Sequence, residues 1–131
     1  MSISFKAALG IHDQALMLRS RRTEILATNL AQADTPNYKA RDIDFRAALA
    51  GSASQARSGL RATHAGHIQT DSGILGGELL YRVPDHASLD GNTVDSRVEH
   101  AKFSENAVRY QATLTFLGGK FNTLTRAIKG E

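Results

Sequence analysis

The chain has 131 residues, a formal net charge of +3 and no cysteine. This length favours one domain, and the lack of cysteine excludes a disulfide framework and a cysteine-ligated metal site. No stretch approaches the roughly 18 apolar residues of a transmembrane helix, and the first residues lack the regions of a cleavable signal peptide. The charge is too small to indicate a nucleic-acid ligand by itself.

Residues 1–33 predict a long N-terminal helix that begins near Phe5 and ends near Gln32. Apolar residues follow the heptad spacing of a helix that packs on a partner, with Arg22 as an interruption. Pro36 disfavours helical dihedrals at the residue before it, which predicts a sharp end to the helix. The residues of this helix predicted to pack against other subunits are Ile11, Leu18, Ile25, Leu26 and Leu30.

Residues 34–93 predict an extended arm followed by a flexible, loop-rich middle. Charged and apolar side chains alternate over residues 38–45, which indicates the arm, and a short helical turn is expected at residues 47–49. Residues 51–77 hold six of the eleven glycines, which predicts loops. Residues 79–83, which read Leu-Leu-Tyr-Arg-Val, predict a short strand that ends at Pro84.

Residues 94–131 predict a second, longer helix with a heptad seam. Ser96 and Glu99 have the spacing of a capping box, with Asn92 and Thr93 as alternative caps one turn earlier, and Gly130 marks the end. A second apolar track lies about 200° around the helix, which is typical of a helix inside an assembly. Both tracks are predicted to pack against other subunits. The seam comprises Phe103, Ala107, Tyr110, Leu114, Leu117, Phe121, Leu124 and Ile128, and the second track comprises Val98, Ala101, Val108, Ala112 and Phe116.

These elements predict a mainly α-helical protein. The long N- and C-terminal helices are expected to pack as a coiled-coil-like pair and to form one structural domain. Between them lies an extended and loop-rich middle with at most a short β element. A helix that is apolar on two sides cannot be covered by one shorter partner helix, so further neighbours are expected.

The segment from Asn29 to Asp42 resembles the N-terminal signature of the bacterial flagellar rod and hook proteins, in which a helix ends in an Asn-x-Ala-x-x-x-Thr-Pro-x-Tyr motif. Residues 40–45, 80–85, 89–95 and 103–131 resemble the proximal-rod members of that family. Asn37 stands where relatives often have glycine, and asparagine tolerates unusual backbone dihedrals. The signature turn and arm comprise Asn29, Thr35, Pro36, Tyr38, Arg41, Asp42 and Phe45.

The resemblance implies a structural subunit of the rod, the shaft that transmits torque across the periplasm and conducts exported subunits. It implies terminal helices that are disordered in the free subunit and that order when they pack along a helical tube. It also implies export through the type III apparatus of the flagellum without a cleavable signal peptide. The implied partners are copies of this chain, other rod proteins and the adaptor protein that links the rod to the export gate.

Other features leave alternatives open. Arg19, Arg21 and Arg22 form a basic cluster that is either a solvated helix face or a phosphate-binding surface, so a soluble helical adaptor or nucleic-acid-binding protein is the alternative function. His64 and His67 have the spacing of a metal pair but no further ligand nearby. No nucleophile elbow or phosphate-binding loop is present. We therefore expect no enzyme activity, cofactor, metal, nucleic acid or small-molecule substrate.

Overall fold

A computed structural model of the chain describes residues 8–58, 78–84, 86 and 88–130. The fold is mainly α-helical with one two-stranded sheet, which confirms the predicted class. In chain order, its elements are α1 (His12–Ala31), β1 (Arg41–Ile43), α2 (Phe45–Ser58), β2 (Leu79–Tyr81) and α3 (Ser96–Lys129).

The terminal helices α1 and α3 pack side by side and run antiparallel. Asn29, near the end of α1, donates a hydrogen bond to Glu99, near the start of α3. At the opposite end of the pair, the rings of His12 and Phe116 lie 6.1 Å apart. The predicted pairing of the terminal helices is therefore confirmed. α1 has 20 residues and α3 has 34, so α3 is about 21 Å longer at 1.5 Å per residue.

The N-terminal helix is interrupted near its start, and the prediction of a continuous helix from Phe5 was wrong at this point. Residues 8 and 9 are helical, but Gly10 has a φ of 63° and α1 begins only at His12. A left-handed residue cannot continue a right-handed helix, and glycine adopts this conformation without a Cβ clash. Residues 1–7 lie outside the described part of the chain.

Asp95, rather than Ser96 or the alternative residues, caps the start of α3. Its carboxylate accepts hydrogen bonds from the backbone N–H groups of Arg97 at 2.9 Å and Val98 at 3.4 Å. The predicted capping box does not form because the Glu99 carboxylate turns towards α1 instead. The helix ends at Gly130 as predicted, with a φ of 77° and its N–H bonded to the Arg126 carbonyl.

The middle of the chain contains a small antiparallel sheet and a further helix. β1 and β2 pair with Arg41 opposite Tyr81, so the predicted strand is present. The prediction of a brief turn followed by loop from residue 51 was wrong over residues 51–58, because α2 continues to Ser58. Asp44 caps this helix by accepting the Ala47 N–H at 2.9 Å, and the alanine-rich sequence favours helix.

The buried apolar core is small and lies where α1 meets β1 and α3. Within the described ranges, the buried apolar residues are Ala15, Leu18, Leu26, Ala40 and Ile43. The buried residues of α3, in contrast, are the polar residues Glu99, Asn106 and Thr113. Most of the apolar side chains of α3 therefore contribute little to this core.

A loop before α3, the Asn92 loop (residues 88–94), holds the turn that leads from α1 to β1. The side-chain amide nitrogen of Asn92 donates to the carbonyls of Gln32, Ala33 and Thr35 at 3.1, 2.7 and 3.0 Å. These carbonyls lie at the end of α1, where helical partners are missing. The Asn37 N–H also donates to the Asp90 carbonyl at 2.9 Å.

Two residues at this contact have positive φ angles, Asn37 at 62° and Gly91 at 72°. Asn37 thus adopts the unusual dihedrals that its residue type tolerates. A Cβ at position 91 would lie 2.6 Å from the Asn37 side-chain oxygen. We expect Gly91→Ala to lower the free energy of unfolding by about 1–2 kcal/mol through backbone strain, with a smaller additional loss because the exposed Asn37 side chain must turn aside. Urea titration followed by circular dichroism, in buffer with TMAO to favour the compact state, measures the change.

Gly10→Ala is the matched control. Gly10 has a φ of 63°, but a Cβ there would meet no atom within 4 Å. Only the backbone strain applies, so the expected loss is about 1–2 kcal/mol. Equal losses in the two variants would show that the contact between Gly91 and Asn37 carries no energy.

Candidate functional site

The side-chain amide of Asn29 lies at the centre of a polar network between the two terminal helices. Asn29 is fully buried. Its nitrogen donates to the Arg41 carbonyl at 2.7 Å and to Glu99 Oε2 at 3.1 Å. Its oxygen accepts the Arg41 N–H at 3.1 Å and the Tyr38 hydroxyl at 3.2 Å. One amide therefore ties α1 to the arm, to the outer edge of β1 and to α3.

Four side chains of alternating charge continue this network across the sheet. Arg22 binds Asp42 through two parallel hydrogen bonds of 2.9 Å, a geometry that suits the planar guanidinium. Arg82 donates to Asp42 at 2.8 Å and also to the Glu99 carboxylate. The two positive and two negative charges balance. We call Arg22, Asp42, Arg82, Glu99 and Asn29 the charged network.

The charged network is largely removed from water. The side chain of Glu99 is 1% exposed, and those of Arg22, Asp42 and Arg82 are 16–18% exposed. Burying charge is costly unless each group is paired and hydrogen-bonded. The positions of α1, β1, β2 and α3 are therefore mutually dependent, because moving one of them leaves a buried charge without a partner.

The pKa of Asp42 records this environment. Burial alone would raise the pKa of its carboxyl group. The hydrogen bonds from Arg22 and the Ile43 N–H, with the positive charge of Arg22 and the hydrogen bond from Arg82, outweigh burial and hold that pKa below its ordinary value. The hydrogen bond to Asp42 in turn raises the pKa of Arg22 against the opposing effect of burial. Both groups are therefore charged at neutral pH.

The face of α3 towards α1 alternates between polar and apolar residues at heptad spacing. Glu99, Asn106 and Thr113 are buried, whereas Phe103, Tyr110 and Leu117 are half-buried. Asn106 donates to the Arg19 carbonyl and to the Thr23 hydroxyl, both at 2.9 Å. We call Glu99, Asn106 and Thr113 the polar layer. Counting only apolar residues missed it, although its seven-residue spacing is visible in the sequence.

The structure divides the predicted apolar seam between two surfaces. Leu124, like Phe103, Tyr110 and Leu117, is half-buried, whereas Leu114, Phe121 and Ile128 are exposed. The second track forms an exposed outer face, and Phe116 lies at the edge of this face that meets His12 of α1. Val98 is half-buried there, but Ala101, Val108, Ala112 and Phe116 are exposed, with exposed fractions of 71% for Val108 and 63% for Phe116.

The predicted packing residues of α1 lie closer to the core. Leu18 and Leu26 are buried, Ile25 and Leu30 are half-buried, and Ile11 is exposed. Most of the predicted packing residues of α1 are therefore buried or half-buried within the subunit. In contrast, α3 has four exposed residues on its outer face and further exposed residues in its seam.

Comparison of the sequence with those of known proteins identifies the family of this chain. No protein-family model matches the chain. The chain is 48% identical to the flagellar basal body rod protein FlgB of Cereibacter sphaeroides over 127 residues, which cover 97% of this chain and 98% of that protein. It is 44% identical to FlgB of Aeromonas hydrophila over 132 residues, which cover 100% and 99% of the two chains. FlgB of Salmonella typhimurium is 43% identical over 130 residues, with coverages of 95% and 94%.

The chain belongs to the FlgB family of flagellar basal body rod proteins. The resemblance inferred from the signature between Asn29 and Asp42 is thereby confirmed. As a member of the FlgB family, the chain is a structural component of the flagellar basal body rod.

The FlgB-family signature has a clear structural role in this chain. Tyr38 bonds the buried amide of Asn29, and the Tyr38 carbonyl accepts the Thr93 N–H at 3.0 Å. Thr35 supplies one of the carbonyls that Asn92 binds, while Pro36 is exposed in the turn. The signature therefore builds the corner that brings β1 back against α1.

The basic cluster of α1 is divided between different environments in this FlgB-family chain. Arg22 belongs to the charged network, and the guanidinium of Arg19 lies 4.3 Å from the centre of the Phe45 ring. Burial, followed by the nearby charges of Arg109 and Arg22, lowers the pKa of Arg19. Arg21 is exposed. The three arginines therefore do not form one continuous basic face.

Two further features concern only the part of the chain that the structure describes. There, no group of three histidine, aspartate or glutamate residues is placed to hold a metal ion. The predicted metal pair, His64 and His67, falls outside the described residues. No helix in the described ranges is long and apolar enough to cross a membrane.

We expect Asp42→Asn to lower the free energy of unfolding by about 2–4 kcal/mol. The substitution keeps the shape of the side chain but leaves Arg22 and Arg82 without their shared counter-charge. Glu105→Gln is the control, because the Glu105–Arg109 pair is about half exposed and exposed pairs contribute about 0.5 kcal/mol or less. Urea titration of both variants measures the difference, and similar losses would contradict an energetic role for the charged network.

The charged network also predicts a dependence on acidity. A carboxyl group with a lowered folded-state pKa contributes stability that is fully present above its unfolded pKa of about 3.9. That contribution is lost as the pH falls through the folded-state pKa. We expect the free energy of unfolding of the unmodified chain to fall more steeply below about pH 4 than that of Asp42→Asn. Urea titrations between pH 7 and pH 3 test this, and parallel curves would refute it.

Proposed function

We propose that this chain polymerises with copies of itself and with other flagellar rod proteins into the helical tube of the proximal rod. The observation that carries the proposal is the outer face of α3, which is apolar and exposed. The fully buried residues on the opposite face of this helix are polar. Covering apolar surface is favourable by about 25 cal/mol per Å². A neighbouring helix packed on this face would gain that free energy.

The C-terminal end of α3 offers a second surface for the same purpose. The start of α1 lies beside Phe116, so the segment from Leu117 to Lys129 extends about 20 Å past it. Phe121 is 42% exposed and Ile128 is 84% exposed in this segment. A long helix with exposed apolar residues beyond the start of α1 is suited to contact more than one neighbouring subunit.

The charged network supports a mechanical function. A shaft transmits torque only if each subunit moves as one body. Arg22, Asp42, Arg82 and Glu99 link the two terminal helices and the sheet through paired hydrogen bonds. In the proposed tube, α1 and α3 form the helical wall.

The remaining parts of the proposal follow from the resemblance to rod proteins. The rod lies in the periplasm, transmits torque and conducts exported subunits. This chain reaches it through the type III export apparatus without a cleavable signal peptide, and an adaptor protein joins it to the export gate. The proposal assigns the chain no catalytic activity, cofactor, nucleic-acid ligand or small-molecule substrate.

We expect Val108→Asp to prevent assembly of the rod. Because Val108 is 71% exposed in the single chain, a charge there costs the isolated subunit little, whereas burying it against a neighbour is strongly unfavourable. A strain with this variant as its only copy of the chain would lose swimming in soft agar. Its isolated basal bodies would lack the chain.

Gln111→Asp provides the control for Val108→Asp. Gln111 is exposed on the polar side of the same helix. The introduced charge is the same, and the loss of helix propensity is no smaller than for Val108→Asp. We expect nearly normal swimming. Normal amounts of the Val108→Asp chain in basal bodies would show that the outer face is not an interface.

A further inference from the structure

The inner face of α3 is polar at its most buried positions, although the helix has apolar residues to place there. We propose that the polar layer of Glu99, Asn106 and Thr113 selects the face and the register with which α3 packs on α1, and thereby keeps the outer face free for neighbouring subunits. The part of this proposal that concerns neighbouring subunits rests on the proposed polymerisation. Glu99 and Asn106 are the residues that carry the selection.

Burial of apolar area alone does not fix how the two helices pack. The face of α3 that packs on α1 carries the half-buried Phe103, Tyr110 and Leu117, yet its most buried residues are Glu99 and Asn106, each 1% exposed. Val108 and Phe116 on the outer face, with Leu114 and Phe121 on the flank, are all exposed. If apolar contact alone guided the pairing, α3 could bury its outer face against its own α1, and that surface would be lost to assembly.

Two hydrogen bonds of the polar layer depend on particular side chains of α1. Asn106 donates to the Thr23 hydroxyl as well as to the Arg19 carbonyl, and Glu99 accepts from Asn29 near the end of α1. A slip of one heptad would move these groups about 10 Å along the helix axis. Asn106 and Glu99 would then lose these side-chain partners, in addition to the Asn106 oxygen, which already lacks a partner among the described residues. Such a penalty is the one by which a single buried asparagine fixes the register of a coiled coil.

Thr113 separates a register effect from a general effect of polarity. It is buried in the same layer, but its hydroxyl donates to the Arg109 carbonyl of its own helix at 2.8 Å. This bond lies within α3 and forms in any register, so it does not favour one position of α1 over another. Thr113→Val therefore changes the polarity of the layer without removing a bond between the helices.

Distance measurement with spin labels tests the proposal directly. The chain has no cysteine, so Glu24→Cys and Ser104→Cys place labels at two exposed positions, one on each helix. The labelled full chain is diluted with unlabelled chain in TMAO buffer, so that only distances within one subunit are recorded. The chain with the unmodified polar layer and the Thr113→Val variant are each expected to give one narrow distribution of distances between the two labels.

Asn106→Leu is expected to give a second distance population that corresponds to a shifted register or a rotated face. The ratio of native to shifted molecules is expected to fall about tenfold, as for the loss of a pair of buried hydrogen bonds. A single native distance in Asn106→Leu would overturn the proposal. Asn106→Ala removes the same bonds without adding apolar surface, and it must also produce the second population if the proposal is correct.

The two proposals fail in different measurements. Normal incorporation of Val108→Asp into basal bodies would refute an interface on the outer face. The distance measurement is made within single subunits, so it decides whether the polar layer sets the register whatever the result of that assembly experiment.

Discussion

A buried carboxylate connects the two halves of the subunit. Glu99 accepts hydrogen bonds from Asn29 of α1 and from Arg82, which follows β2. A carboxylate with 1% of its side chain exposed is tolerated only where such partners satisfy it. The register of the helix pair and the position of the sheet therefore depend on the same group, and Arg82 extends this dependence to Asp42 and Arg22.

The helix pair has an arrangement opposite to that of an ordinary amphipathic pair. The buried positions of α3 are polar, and many of its apolar side chains are exposed. This distribution gives a subunit that functions alone little stability, because few large apolar side chains enter the core. It is a reasonable solution for a FlgB-family rod subunit, since hydrogen bonds define the contact within the chain and apolar surface remains for contacts between chains.

The signature of the family acquires a physical explanation from the fold. The turn after α1 ends the helix, and the buried amide of Asn92 satisfies the carbonyls that this end exposes. Asn37 and Gly91 approach each other with positive φ angles. The turn and the Asn92 loop are more than fifty residues apart in sequence, yet each requires the conformation of the other.

The sequence by itself determined the helical class, the helix pair, the turn at Pro36, the end of α3 at Gly130 and the resemblance to rod proteins. These features depend on local preferences and on periodicity, which neighbouring residues define. Only the tertiary structure decided which face of α3 lies inside, because the partners that satisfy Glu99 lie up to 70 residues away. It also decided that Asp95 rather than Ser96 caps α3, since Asn29 and Arg82 draw Glu99 away from a capping box. Periodicity shows that a helix has several apolar faces, but it does not show which polar residues between them find partners in distant parts of the chain.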